Sequence, residues 1–271
     1  MNLRVKAILN SITIVVAALM LRCPGFADLT PIPCAVGNRW EYDTVKLVRA
    51  SIVFEGKTLS AFRETSYGTS VYEVTGADEK SSPTIYDYRE ETRTWSTSSH
   101  EPHFEVSDLK ITAEDGAIRI LSTKSRSSSE TEPDEQSYNP PLLYYSIADA
   151  LNLKSWEVGV MRERETGCSL SARAVGRETV TVPAGTFEDC LRVVYSGENV
   201  FGKMELWQKP FTITGGRSRG VYWIAEGIGV VKELEVATTT AEAEGPGGRK
   251  ILLEAASCTV NELEPGYVVK K

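Results

Sequence analysis

The chain has 271 residues, 41% of them hydrophobic and 25% charged, with a formal charge of −7 and a pI near 5.2. An acidic chain without a basic run repels polyanions instead of releasing counterions onto a basic patch, which excludes nucleic acid as a partner. With two histidines and five cysteines, side chains for metal or thiol chemistry are scarce.

Residues 1–27 read as a secretory signal peptide. Arg4 and Lys6 form the positive end, residues 7–21 the apolar stretch, and Gly25-Phe-Ala27 a small-x-small cleavage site. The mature chain is then expected to begin near Asp28, as a single β-rich domain over 28–271 that is exported to the periplasm or the exterior. Cys23 would suit a lipid anchor, but Arg22 stands before it where acylation needs a small side chain, so no stable membrane insertion is expected after cleavage.

Period-two alternation marks the strands that follow. Trp40 and Tyr42 alternate with Arg39, Glu41 and Asp43; Tyr72 and Val74 alternate with Val71 and Glu73; Tyr86 and Tyr88 alternate with Ile85, Asp87 and Arg89. Short intervals predict antiparallel neighbours. Phe104 and Val106 share one face while Leu109 and Ile111 resume in the opposite phase, which predicts a turn or bulge near Ser107-Asp108. Residues 122–138, STKSRSSSETEPDEQSY, lack an apolar residue before the final Tyr and are expected to form a mobile polar loop. A short amphipathic helix is predicted next, with Asn139 as cap, Pro140-Pro141 at its entry, and Leu143, Ile147, Ala150 and Leu151 along one face. Further strands are predicted around 158–165, 168–182, 186–195, 203–208, 221–225, 229–236 and 250–260, with 237–248 as a connecting loop.

Two segments carry hairpin signatures: VTVPAGTFEDCLRVV at 180–194 and YWIAEGIGVVK at 222–232. In the first, Pro183 presets φ for a tight turn and Gly185 accepts a positive φ. These segments resemble the TapB-like family of bacterial exported proteins, in which a Val-x-Val-Pro-Ala-Gly-Thr-Phe-x-x-Cys strand pair precedes a Trp-containing segment ending Gly-Val-Gly. The resemblance spans roughly 156–236, with an echo at Val36-Gly-Asn-Arg-Trp-Glu-Tyr42. Glu226 stands where many relatives have Pro, and Ile228 where they have Val. It implies an exported, uncharacterised family and no particular activity.

The constellations that suggest chemistry are sparse. Gly216-Arg-Ser-Arg-Gly220 has the spacing of a nucleophile elbow, but a strand pattern follows Ser218 and both histidines lie upstream of it. His100-Glu-Pro-His103, with Glu105 following, is a weak metal candidate, since Pro102 disfavours the helix on which such ligands would converge. Cys190 lies beside Glu188 and Asp189, a poor setting for a thiolate. Cys34, Cys168, Cys190 and Cys258 remain after cleavage as disulfide candidates with no pairing chosen. The pairs Glu90/Glu91 and Glu233/Glu235 read as strand-face charges that keep the sheet soluble.

The fold expected is mostly β, a curved antiparallel sheet in an open half-barrel or sandwich, with one short helix. Strand aromatics are the functional candidates. Trp40, Tyr42, Tyr86, Tyr88 and Trp223, with Leu143, Ile147 and Leu151 of the helix, are expected to enclose a hydrophobic or lipid-like ligand; Tyr72, Trp207 and Tyr222 belong to the same aromatic set. The expectation is therefore a non-enzymatic envelope protein without a cofactor, binding a hydrophobic small molecule. A metal-dependent enzyme built on His100 and His103, and a structural partner in an envelope complex, are the alternatives.

Overall fold

The structure is a computed structural model that describes residues 34–97, 101–128, 132–206 and 209–270. Thirteen strands among these residues form a single antiparallel sheet: β1 (Arg39–Phe54), β2 (Lys57–Asp78), β3 (Ile85–Ser96), β4 (His103–Glu114), β5 (Ala117–Ser127), β6 (Asp134–Ser146), β7 (Ser155–Glu163), β8 (Thr166–Val182), β9 (Gly185–Phe201), β10 (Lys203–Leu206), β11 (Lys209–Ala225), β12 (Gly229–Glu244) and β13 (Lys250–Leu263). Their order is β6-β5-β4-β3-β2-β1-β13-β12-β11-β9-β8-β7, with β10 paired to β11. The sheet curls until its two ends meet, so it is nearly closed into a barrel. At the seam Trp156 of β7 donates to the Tyr144 carbonyl of β6 at 3.2 Å, and the Tyr138 hydroxyl donates to the Arg162 carbonyl at 3.2 Å. Closure removes the exposed edges that an open half-barrel of this length would leave.

Several expected elements form differently. The polar stretch 122–138 mostly forms strand: β5 continues to Ser127 and β6 begins at Asp134, pairing Ser122 with Ser137 through Ser125 with Asp134. Backbone ladder bonds order these residues even though their side chains contribute little burial. Pro140-Pro141 enters β6 rather than a helix. The β5–β6 register shifts between Ile120 and Ser122, so 138–141 stand outside the ladder, where a residue without N–H leaves no bond unmade. The helix α1 shrinks to Ile147–Leu151, capped by Ser146, which accepts from the Asp149 amide at 3.3 Å while its hydroxyl donates to the Asp149 carboxylate at 2.6 Å. Leu153, at φ 54°, ends it. Segment 237–248 is likewise not a loop until Gly245, because β12 runs to Glu244 against β13.

The barrel is packed with apolar side chains at both ends. One end holds Trp40, Tyr42, Tyr72, Tyr88, Ile111, Tyr145, Trp156, Tyr195 and Tyr222, with Tyr144 stacked on Tyr195 at 5.0 Å and Trp156 edge-on to Tyr145 at 5.7 Å. The other holds Ile52, Met204, Leu206, Phe211, Ile213, Ala241 and Leu253. These end clusters choose which face of each long strand points inward, and strict alternation carries that choice through the middle. The middle is consequently inverted. Along β12, Val231, Glu233, Glu235, Ala237 and Thr239 are buried, while Leu234 is only partly buried and Val236 is exposed. In β4 the register with β3 runs from Ile85–Thr112 to Thr94–His103 without a shift. The phase change near Ser107-Asp108 is therefore not a turn: Glu105, Ser107, Leu109 and Ile111 all face inward, and only the chemistry of that face changes.

The outer face at the same level is apolar. Trp95, Tyr67, Val45, Val260, Leu234, Val221 and Val194 are paired in succession across β3, β2, β1, β13, β12, β11 and β9. A shorter row, Leu47-Cys258-Val236, runs beside them.

Candidate functional site

Three cross-strand rows bring polar residues together inside the barrel. Tyr72 lies opposite Glu90, which lies opposite Ser107; Thr44 lies opposite Asn261, which lies opposite Glu233; Lys46 lies opposite Thr259, which lies opposite Glu235. Glu233 and Glu235, two apart on β12, necessarily share a face. Thr44, Lys46, Ser70, Tyr72, Glu90, Thr92, Glu105, Ser107, Glu235, Thr259 and Asn261 line a cavity of about 40 Å³. That is room for roughly two or three waters.

The hydrogen bonds within the site are directional. The Asn261 amide donates to the Tyr72 hydroxyl and to Glu233 Oε2, each at 3.1 Å, while the Tyr72 hydroxyl donates to the same Glu233 oxygen at 3.2 Å. The Tyr222 hydroxyl donates to Glu235 Oε1 at 2.6 Å. Thr44, Ser70 and Thr92 form a hydroxyl chain with 2.8 Å links. Glu105, paired with Thr92 on the neighbouring strand, lies 2.9 Å from His103 Nε2 and 3.8 Å from Lys46 Nζ. Other acceptors are buried without a partner: Glu90 Oε1, Glu233 Oε1, Asn261 Oδ1 and the Thr259 hydroxyl.

Burial is the main force on the carboxyl groups. It pushes Glu90 well above the usual carboxylate range, and the charges of Glu233 and Glu235 push in the same direction. Glu235 is raised well above that range by burial and then by Glu233, against a smaller opposing pull from Lys46. Glu233 is raised by burial, against hydrogen bonds from its neighbours that favour its ionised form. Glu233 and Glu235, two apart on the inner face of β12, act on each other's protonation, so the two titrate as a pair. Apart from Lys46, the inward groups around this trio are carboxyls, phenols, hydroxyls and an amide. The site can therefore accept hydrogen bonds and stabilise positive charge.

The residues expected to hold a ligand occupy other places. Trp40, Tyr42 and Tyr88 are buried in the end cluster, with the Trp40 indole donating to the Ile228 carbonyl at 2.7 Å and the Tyr42 hydroxyl to the Val230 carbonyl at 2.9 Å. Tyr86, Leu143, Ile147 and Trp223 pack partly buried against that cluster, and Leu151 is 47% exposed. None of these eight lines the cavity. Trp207 and His100 lie outside the described residues, and both nitrogens of His103 are engaged, Nε2 by Glu105 and Nδ1 by the Ser128 hydroxyl at 3.0 Å. No group of three or more His, Cys, Asp or Glu able to hold a metal occurs among the described residues.

Cys168, Cys190 and Cys258 are thiols with no bridge among the three. Burial raises Cys168 and Cys190 to about 11, which leaves both as thiols at neutral pH. Ser218 faces inward from β11 opposite Gly197 and Ala237, with no helix after it.

Glu233, Glu235 and Glu90, expected on the solvent side, form the centre of the site, together with Lys46, Thr259 and Asn261, which no sequence motif marks. The available signal was phase: Glu233 and Glu235 share their parity with Val231 and Ala237.

A family model described as DUF3108-like matches residues 149–235, about a third of the chain and only part of the barrel. No curated protein matches. Among solved structures the chain is similar to a candidate exported protein with a YmcC-like fold from Bacteroides fragilis, at 15% identity over 84% of this chain and 95% of that one, TM-score 0.33. It is also similar to a candidate lipoprotein from Parabacteroides distasonis, at 14% identity over 86% and 96% of the two chains, TM-score 0.34.

Proposed function

We propose that the protein is an exported, non-enzymatic envelope protein that holds a small polar ligand inside its barrel. The observation that carries this reading is the buried trio Glu90, Glu233 and Glu235 beside a cavity, with acceptor atoms that no protein group satisfies. Buried carboxyls without partners cost stability, and folds retain such violations mainly at functional sites. Burial of Trp40, Tyr42 and Tyr88 in the core supports a polar occupant over the lipid-like one that the aromatic pattern first suggested. Export rests on the signal pattern of residues 1–27, and kinship with the TapB-like proteins on the hairpins at 180–194 and 222–232. Native mass spectrometry of protein purified from its own host tests the reading. A retained small adduct that disappears when Glu90 and Glu235 are both replaced by Gln is expected; its absence in the wild type would count against a ligand chamber.

The apolar ladder on the outer face favours a second reading, in which the barrel wall docks against an envelope protein. Tyr67 and Trp95 at its end are 55% and 42% exposed. Leu234→Lys should then abolish a specific cross-link in the intact envelope while leaving the fold unchanged.

A further inference from the structure

We propose that the cavity seats the ammonium head of a small primary amine between Glu90, Asn261 and Thr259. The inference rests on the ligand-chamber reading and adds the chemical class of the occupant.

The three residues are each more than nine-tenths buried, line one cavity, and carry an atom without a partner: Glu90 Oε1, Asn261 Oδ1 and the Thr259 hydroxyl. Both Asn261 amide hydrogens are committed, to Tyr72 and to Glu233, so its remaining oxygen can only accept. An ammonium offers three N–H donors, one for each of these three cavity-lining residues. The acid groups agree: Glu90, Glu105 and Glu235 line the cavity and Glu233 stands behind it, carboxyls that an entering ammonium draws into their ionised form, with Lys46 beside Glu105 and His103 turned to Glu105 and Ser128. An anion would bring no donors to these acceptors, and a hydrocarbon would leave every one of them unmet. A metal ion needs carboxylates drawn together around one point, an arrangement not found among the described residues. The cavity limits the ligand to a head group with a short polar tail, which the Thr44–Ser70–Thr92 hydroxyls can meet.

Binding should displace protons. The amine enters as R–NH3⁺, its charge favours ionised carboxylates, and a proton held by the trio leaves to buffer. Affinity should therefore rise with pH through the neutral range.

Isothermal titration of the full mature chain with ethanolamine tests this, in two buffers of different ionisation enthalpy and with tetramethylammonium as a cation lacking N–H donors. Saturable binding with proton release is expected, weakened about tenfold or more by Glu90→Gln and by the near-isosteric Thr259→Val, with none for tetramethylammonium. Circular dichroism and urea midpoints confirm that the variants are folded. No binding to folded wild type, equal binding to both variants, or equal binding of tetramethylammonium each overturns the proposal. If ethanolamine fails while native mass spectrometry still finds an adduct dependent on Glu90 and Glu235, the amine assignment falls and the chamber stands. If both fail, the cavity holds waters only and both readings fall.

Discussion

Replacing Glu235 by Gln should stabilise the ligand-free protein at alkaline pH and leave it nearly unchanged in acid. The Tyr222 hydroxyl donates to Glu235 Oε1 at 2.6 Å, and the carbonyl oxygen of a Gln side chain can accept the same bond. Its amide brings N–H donors beside Glu233, whose Oε1 has no partner. What the substitution removes is the charge. Glu235 is held well above the ordinary carboxylate range when folded and returns to that range when unfolded. Its stabilising contribution is thus complete below the unfolded value and is lost as pH rises through the folded one. The variant escapes that loss. The expected gain at pH 8 is about 1–3 kcal/mol, the usual cost of a buried polar group without its partner, or on the order of 0.3–1.5 M in urea midpoint for a slope of ~2–3 kcal/mol per M. At pH 4 the two midpoints should agree. Glu90 and Glu233 keep part of the pH slope, so the variant's curve should flatten without becoming level. Urea unfolding followed by tryptophan fluorescence from pH 4 to 8 measures this directly. A variant no more stable than wild type at pH 8, with an unchanged slope, would show that Glu235 is ionised and compensated in the free protein.

Trp156→Ala removes an indole buried against Tyr145 and Tyr195 together with its bond to the Tyr144 carbonyl, so a loss of about 3–5 kcal/mol is expected in chemical denaturation, with faster amide exchange along β6 and β7. Gly185 has φ 136° with open space where a Cβ would stand; Gly185→Val should cost about 1–3 kcal/mol through backbone strain alone, and an unchanged thermal midpoint would contradict it. Leu151→Glu, at a position 47% exposed, should alter stability by no more than about 0.5 kcal/mol. A large loss on calorimetry would mean that α1 packs more tightly than its exposure implies.

The β character of the chain, its antiparallel neighbours and the hairpin at 180–194 are legible in the sequence, because alternation and turn chemistry are local. Trp40, Tyr42 and Tyr72 in β1 and β2, or Pro183 and Gly185 between β8 and β9, need no distant partner to be read. Where local signals compete, they fail: Asn139-Pro140-Pro141 after a polar run suits a capped helix entry as well as a strand bulge, and only the ladder of β5 against β6 decides between them. The candidate site depended wholly on tertiary structure. Alternation states that Glu233 and Glu235 oppose Leu234 and Val236, but not which pair faces in. Hydrophobicity alone turns the leucine and valine inward. The aromatic cluster at one end of the barrel and the Phe211–Leu253 cluster at the other fix the opposite facing, and the period of two leaves the acidic middle no freedom to differ.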